Sequence, residues 1–193
     1  MQRTCRMHHL GDDMVFSIKQ QARCAMIEWQ YFPKSAELPA HLKDVIDVFS
    51  HASPEIASPE HGLTSDAVLA HIREKLVEQG YAVESSKKDA DKIRVPVLFG
   101  KNGRLEKYFD ANAYHALNHT VIEVEAGRGV DNYQFLKDLF QACMMHDVLH
   151  LVIAVRQEYR GNRNFDTVLS FFDTLYTSGR LSLPLKGVLI IGY

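Results

Sequence analysis

The chain has 193 residues, 46% of them hydrophobic, enough apolar material for one well-buried domain with at most a small appendage. A formal net charge of −2 excludes a global basic field of the kind that draws a protein onto nucleic acid or an anionic membrane, although a local basic rim still suffices for nucleic acid. Cys5, Cys24 and Cys143 are too few and too scattered for a disulfide framework or a cysteine zinc site. No apolar run approaches the roughly 18 residues of a membrane span, and the first residues hold no apolar signal core, so a cytoplasmic protein is expected.

Residues 1–35 show only short apolar clusters. "LPAHLKDVIDVFSH" (38–51) predicts an amphipathic helix with Leu42, Val45, Ile46 and Phe49 on one face, and "ASPEIASPEHG" (52–62) predicts a connector. Residues 1–63 therefore read as a helical segment with its connector, and 64–193 as an α/β core, within one compact domain overall. The core opens with a helix carrying Val68, Leu69, Ile72 and Leu76, with cap candidates from Thr64 to Asp66 and a stop at Gly80. "YAVES" predicts a short strand. "KIRVPVLFGKNGRLEKYFDANAY" predicts a hairpin turning at Asn102-Gly103, with Pro96 on an edge arm and Asp110 on the second arm.

"TVIEVE" predicts the next strand. A helix from about Asp131 follows, with Asp131 and Gln134 at capping-box spacing and Leu136, Leu139, Phe140 and Cys143 on one face. "LHLVIAV" (149–155) is apolar enough for a central strand buried on both faces. "NFDTVLSFFDTLYTSG" predicts a last helix capped by Asn164 and stopped by Gly179, and "GVLIIGY" a last strand. This order predicts an α/β fold around a central mixed sheet flanked by helices.

Within "HTVIEVEAGRG", period-two alternation sets Glu123 and Glu125 on one face of a strand otherwise made of Val121, Ile122 and Val124. Two neighbouring buried acids need a partner, because an unpaired buried charge is very costly. Asp110 lies 13 positions ahead of Glu123. If the second hairpin arm pairs with "TVIEVE", three carboxylates converge at one end of the sheet and repel one another unless a cation joins them. Magnesium or manganese suits such hard oxygen donors and keeps waters and phosphate oxygens as further ligands. The chemistry implied is metal-assisted hydrolysis of a phosphodiester.

This pattern, over about residues 64–155, resembles the PD-(D/E)XK or restriction-endonuclease-like nucleases in their Glu-x-Glu variant. Their core runs α-β-β-β-α-β, with an Asp on the second strand and an acid-x-Lys motif on the third. The resemblance implies a restriction-endonuclease-like core, a magnesium-dependent nuclease acting on DNA, and Asp110 and Glu123 as metal ligands. Glu125 stands at the Lys position, as in some relatives that rely more heavily on metal. Lys137, on the following helix, is the stand-in for the missing Lys, and Arg128 is a second cation within reach of a phosphate.

Other readings remain open at this level. Two alternate Glu residues also describe the wet face of an antiparallel strand, and Asp110 also suits a cap on the bend in "FDAN". "HDVLH" has the spacing of a zinc-protease motif, with His146, His150 and Glu158 as ligands, but requires a helix through residue 150 where the β-branched run predicts strand. Lys87, Lys88, Lys92, Arg94, Lys101, Arg104 and Lys107 surround the hairpin, interleaved with Asp89, Asp91 and Glu106. Arg156, Arg160 and Arg163 form a second group expected to hold a nucleic-acid backbone. A nuclease-like fold serving only binding or assembly is the alternative to an enzyme. No membrane partner is expected, and a homodimer is compatible with the sequence.

Overall fold

The computed structural model describes residues 27–58, 60–127 and 130–193. Arg128, Cys5 and Cys24 lie outside the described residues. The architecture is α/β: a mixed six-stranded sheet with helices on both faces. In chain order the elements are β1 (Glu28–Phe32), α1 (Ala40–Ile56), α2 (Ser65–Glu78), β2 (Ala82–Val83), β3 (Ile93–Phe99), β4 (Leu105–Ala111), β5 (Ala113–His115) and β6 (Thr120–Glu125). There follow α3 (Gln134–Met144), β7 (His150–Val155), β8 (Glu158–Tyr159), β9 (Asn162–Arg163), α4 (Asn164–Ser178) and β10 (Gly187–Gly192). Among the described residues no helix is long and apolar enough to cross a membrane.

The central sheet runs β1-β10-β7-β6-β5-β2. Strands β6, β7 and β10 are parallel, and β1, β5 and β2 join antiparallel to the strand beside them. β7 and β10 are buried at every residue, as continuous apolar runs at the centre of a two-faced sheet must be. Even-numbered residues of β6 (Ile122, Val124) pack with α1 and α2, whereas Val121 packs with α3 and α4 on the other face. Glu123 and Glu125 share the Val121 face by alternation.

The predicted hairpin forms, turning through Asn102 (φ 60) and Gly103 (φ 72), but its second arm does not pair with β6. Residues 105–111 pair along their length with β3 as a separate ribbon. The chain then bends at Asn112, and the short β5 pairs with β6, Ala113 opposite Ile122. β1, which the sequence did not show, completes the edge beside β10.

Four local expectations need correction. α1 runs on through Pro54 to Ile56, where a connector was expected. Late in a helix proline forfeits one backbone bond while its fixed φ still fits, and the fully buried Ile56 and Ser53 hold the last turn against the core. The Asp131–Gln134 capping box does not form. A turn closed by Tyr133 N–H to the Val130 carbonyl (3.0 Å) leaves Asp131 outside the helix, and Tyr133 (φ 54) takes the cap position.

Of the predicted face of α3, Leu139 is buried and Leu136 and Cys143 pack at the core's margin, but Phe140 is 54% exposed, and Phe135, Asp138 and Ala142 complete the buried face. Asn164 is the buried first residue of α4 rather than its cap. The small β8–β9 hairpin, tight at Arg160-Gly161 with both φ positive, leads straight into the helix and puts Arg163 at the cap position.

Truncation at the sheet centre should be costly because no neighbour can fill the void. Ile153→Ala is expected to cost roughly 2–5 kcal/mol, against no more than about 0.5 kcal/mol for Leu98→Ser at the exposed ribbon tip, both read from urea denaturation.

Candidate functional site

At the carboxyl end of β6, a cleft of about 260 Å³ gathers side chains from five segments. Glu84 comes from the end of β2, Asp110 from the ribbon, Glu123 and Glu125 from β6, and Lys137 and Asp138 from α3. Lys87 and Lys92, from the segment between β2 and β3, complete the wall. Asp110, Glu123, Glu125 and Lys137 thus line one cavity, although β4 and β6 are not paired. Asp110 is exposed at the mouth, Glu125 is half-buried, and Glu123 lies in the floor. The wet-face reading of the two glutamates fails at Glu123, which is only 8% exposed.

Asn112 explains how a carboxyl is kept there. Its Oδ1 accepts from Val124 N–H (2.8 Å), its Nδ2 donates to Glu84 (3.1 Å), its carbonyl accepts from Glu84 N–H (2.8 Å), and its own N–H donates to the Glu123 carboxylate. One residue at the bend thereby ties β2, β5 and β6 together around the acids. Glu84, itself buried, is paired with Lys92.

The electrostatics are those of crowded carboxyls. Burial raises the pKa of Glu123 well above the ordinary range, Asp138 and Glu125 raise it further, and the Asn112 N–H and Lys137 pull back. Glu125 is pushed up to about 8 by burial, by the charge of Asp138 and by a hydrogen bond to it, against Lys137 and Lys87. Asp138 is raised by burial and restrained by Glu125, Lys137 and Gln134. Burial and the crowding of the two carboxyls thus hold both Glu125 and Asp138 towards their protonated forms. The second oxygen of Asp138, Oδ2, is buried with no hydrogen-bond partner.

Sequence reasoning missed Asp138, Glu84 and Asn112. The i, i+3, i+4, i+7 spacing of Phe135, Asp138, Leu139 and Ala142 was a signal for an inward acid. Nothing local marked Asn112, whose role depends on strands distant in sequence.

The remaining candidates lie elsewhere. His146 sits in a turn beyond α3 and His150 opens β7, so the shared helix face that "HDVLH" required does not exist. His150 pairs with Thr120 while Glu125 pairs with Val155. Strand steps of roughly 3.3 Å put the histidine about 10 Å from the level of Glu123, opposite Ile153, and about 17 Å from that of Glu125. His150 packs against His41 (ring centroids 4.9 Å), and Glu158 starts the β8–β9 hairpin.

The Arg156 guanidinium donates to the Leu63 carbonyl and lies over Tyr159, Arg160 lies over the same ring, and Arg163 pairs with Asp166 at 2.7 Å. None of the three lines the acidic cleft. Among the described residues, no three or more His, Cys, Asp or Glu side chains stand arranged to hold a metal ion. No protein-family model matches the sequence, and no curated protein matches it.

Glu125 sets a pH dependence whose sign follows from its raised folded-state pKa, about 8 against 4.5. Its stabilising contribution is full below pH 4.5 and is lost as the pH rises through 8. Glu125→Gln is expected to flatten the fall in stability across this window and to exceed the wild type at the alkaline end. Urea midpoints from pH 5 to 8.5 measure it, and an unchanged slope would remove Glu125 as its source.

Proposed function

We propose that this cleft is the active site of a metal-dependent phosphodiester hydrolase of the restriction-endonuclease-like class, acting on DNA. The observation that carries the proposal is that Asp110, Glu123, Glu125 and Lys137, named from the sequence pattern, line one cleft at the carboxyl end of β6. The element order from α2 through β2, β5, β6, α3 and β7 supports it. Its strands lie side by side in that sequence, antiparallel, antiparallel and then parallel, with Asp110 at the end of the ribbon just ahead of β5 rather than on the second strand itself.

The donor set suits magnesium or manganese, which take carboxylate oxygens. Glu123, Glu125 and Asp110 would hold the ion, with the unpartnered Oδ2 of Asp138 behind them. A bound divalent ion supplies Lewis acidity and a water of lowered pKa. The chain supplies the rest. Asn112 holds Glu123 in place, Lys137 would offer its ammonium to a phosphate oxygen, and a bound cation would favour the ionised forms of Glu125 and Asp138.

A second reading is a nuclease-like fold that binds or assembles without cutting. It is favoured by one observation: no group of acids among the described residues is arranged to hold a metal as it stands.

Cleavage assays decide between the two, using duplex, single-stranded and modified DNA and RNA with magnesium or manganese. The wild type is expected to cut at least one substrate. Asp110→Ala and Glu123→Ala are each expected to lose activity by roughly a hundred-fold or more without unfolding, and Glu125→Lys to keep part of it. Calorimetry should show divalent-ion binding that Glu123→Gln abolishes. A wild type that neither binds metal nor cuts any substrate establishes the binding module instead.

A further inference from the structure

Helix α3 hides one face and leaves the opposite one bare. Phe135, Asp138, Leu139 and Ala142 turn inward, while Lys137, Phe140 and Met144 recur at steps of three and four and so share the outward face. This stripe continues beyond the helix. The His146 N–H donates to the Pro96 carbonyl at 2.7 Å and its ring meets Phe99 edge-on at 5.2 Å. These contacts dock β3 at the foot of α3 and carry the apolar surface on to Phe99 and Leu98. Phe140, Met144, Phe99 and Leu98 are each at least half exposed. At its upper end the stripe enters the acidic cleft, since Lys137 belongs to both.

Apolar surface of this extent, continuous across two elements and running into a cleft, marks a binding surface rather than scattered exposure. We propose that it is the bed on which an unpaired DNA strand lies as it passes the cleft. The inference rests on the hydrolase reading only for where the strand leads.

Charge and chemistry both select that occupant. The outward face of α3 carries Lys137 and no acid, the exposed Asp147 pairs with His146 at its foot (3.2 Å), and beyond Phe99 the ribbon exposes Lys101, Arg104 and Lys107 against Glu106 and, at the cleft mouth, Asp110. A phosphate backbone is complementary to that balance. Rings and a thioether offer nothing to the edges of paired bases but stack on the flat faces of unpaired ones, which a duplex keeps covered. Its exposed apolar members, Phe140, Met144, Phe99 and Leu98, offer nothing that would reward a ribose 2′-hydroxyl, so the strand is assigned as DNA.

The full chain, kept in EDTA so that nothing is cut, is titrated by fluorescence polarisation against three labelled probes. These are an oligo(dT) longer than roughly 16 nucleotides, a blunt hairpin duplex and an oligo(rU) of equal length. Oligo(dT) is expected to bind most tightly. Phe140→Ala and Phe99→Ala should each weaken it by roughly ten-fold with unchanged circular dichroism. Lys43→Ala, an exposed charge on α1 across the sheet, should leave it unchanged.

Equal or tighter binding of the duplex or of oligo(rU), or variants that bind like the wild type, would overturn the assignment. So would a dimer in sedimentation that Phe140→Ala dissolves, because the stripe would then belong to a second copy of the chain. The two readings fail separately. Stripe-dependent oligo(dT) binding by a protein that does not cut with magnesium supports the bed and removes the hydrolase. Cutting that is indifferent to Phe140 and Phe99, with no oligo(dT) binding, does the reverse.

Discussion

Strand β6 is paired on both edges and covered by helices on both faces, yet two of its six side chains are carboxyls. That placement constrains everything around it. An acid on a central strand must be neutralised, hydrogen-bonded or opposed by a cation. Here all three devices appear at once: raised pKa values that favour the neutral forms of Glu125 and Asp138, the Asn112 N–H on Glu123, and Lys137 and Lys87 nearby. The bend at Asn112 follows from the same need. An uninterrupted strand from β4 into β5 would keep that backbone in a regular ladder, whereas the break frees Asn112 to serve three strands.

The two ends of the sheet differ in chemistry. The carboxyl end of β6 gathers acids and lysines, whereas the opposite end gathers imidazoles. His150 at the start of β7 packs on His41, with His119 close by, and each has a ring nitrogen that is buried without a partner. Burial and the neighbouring His41 push the His150 pKa down to about 4, and burial lowers that of His41 as well, so this stacked pair stays neutral where an ordinary histidine would begin to charge. Uncharged imidazoles pack as apolar bodies, which lets α1 close over this part of the sheet.

The β3–β4 ribbon stands apart from the main sheet and does two jobs. Val95 and, in part, Val97 and Phe109 seal the α3–α4 side of the core, while the opposite face stays open. Its last residue but one is Asp110, so the same arm that covers the core delivers an acid to the cleft mouth. α3 divides its labour likewise, with Asp138 pointing in and Lys137, one residue away, pointing out. Adjacent positions on a helix are about 100° apart, and that rotation is what brings a buried acid and an exposed cation to one cavity.

Strong local patterns were legible in the sequence. The apolar runs of β7 and β10 declared a buried sheet, Asn102-Gly103 declared a hairpin, and Thr64 does cap α2, accepting from Ala67 N–H at 3.3 Å. The alternation in "TVIEVE" correctly set both glutamates on one face. These signals are local, because periodicity and turn chemistry act over a few residues. What the tertiary structure alone decided was which strand pairs with β6, which face of α3 turns inward, and that Glu84 and Asn112 join the acids. Each of these depends on contacts between segments many residues apart, where burial and hydrogen-bond satisfaction outweigh local preference. A residue such as Asn112 carries no sign of its partners until the strands it joins have met.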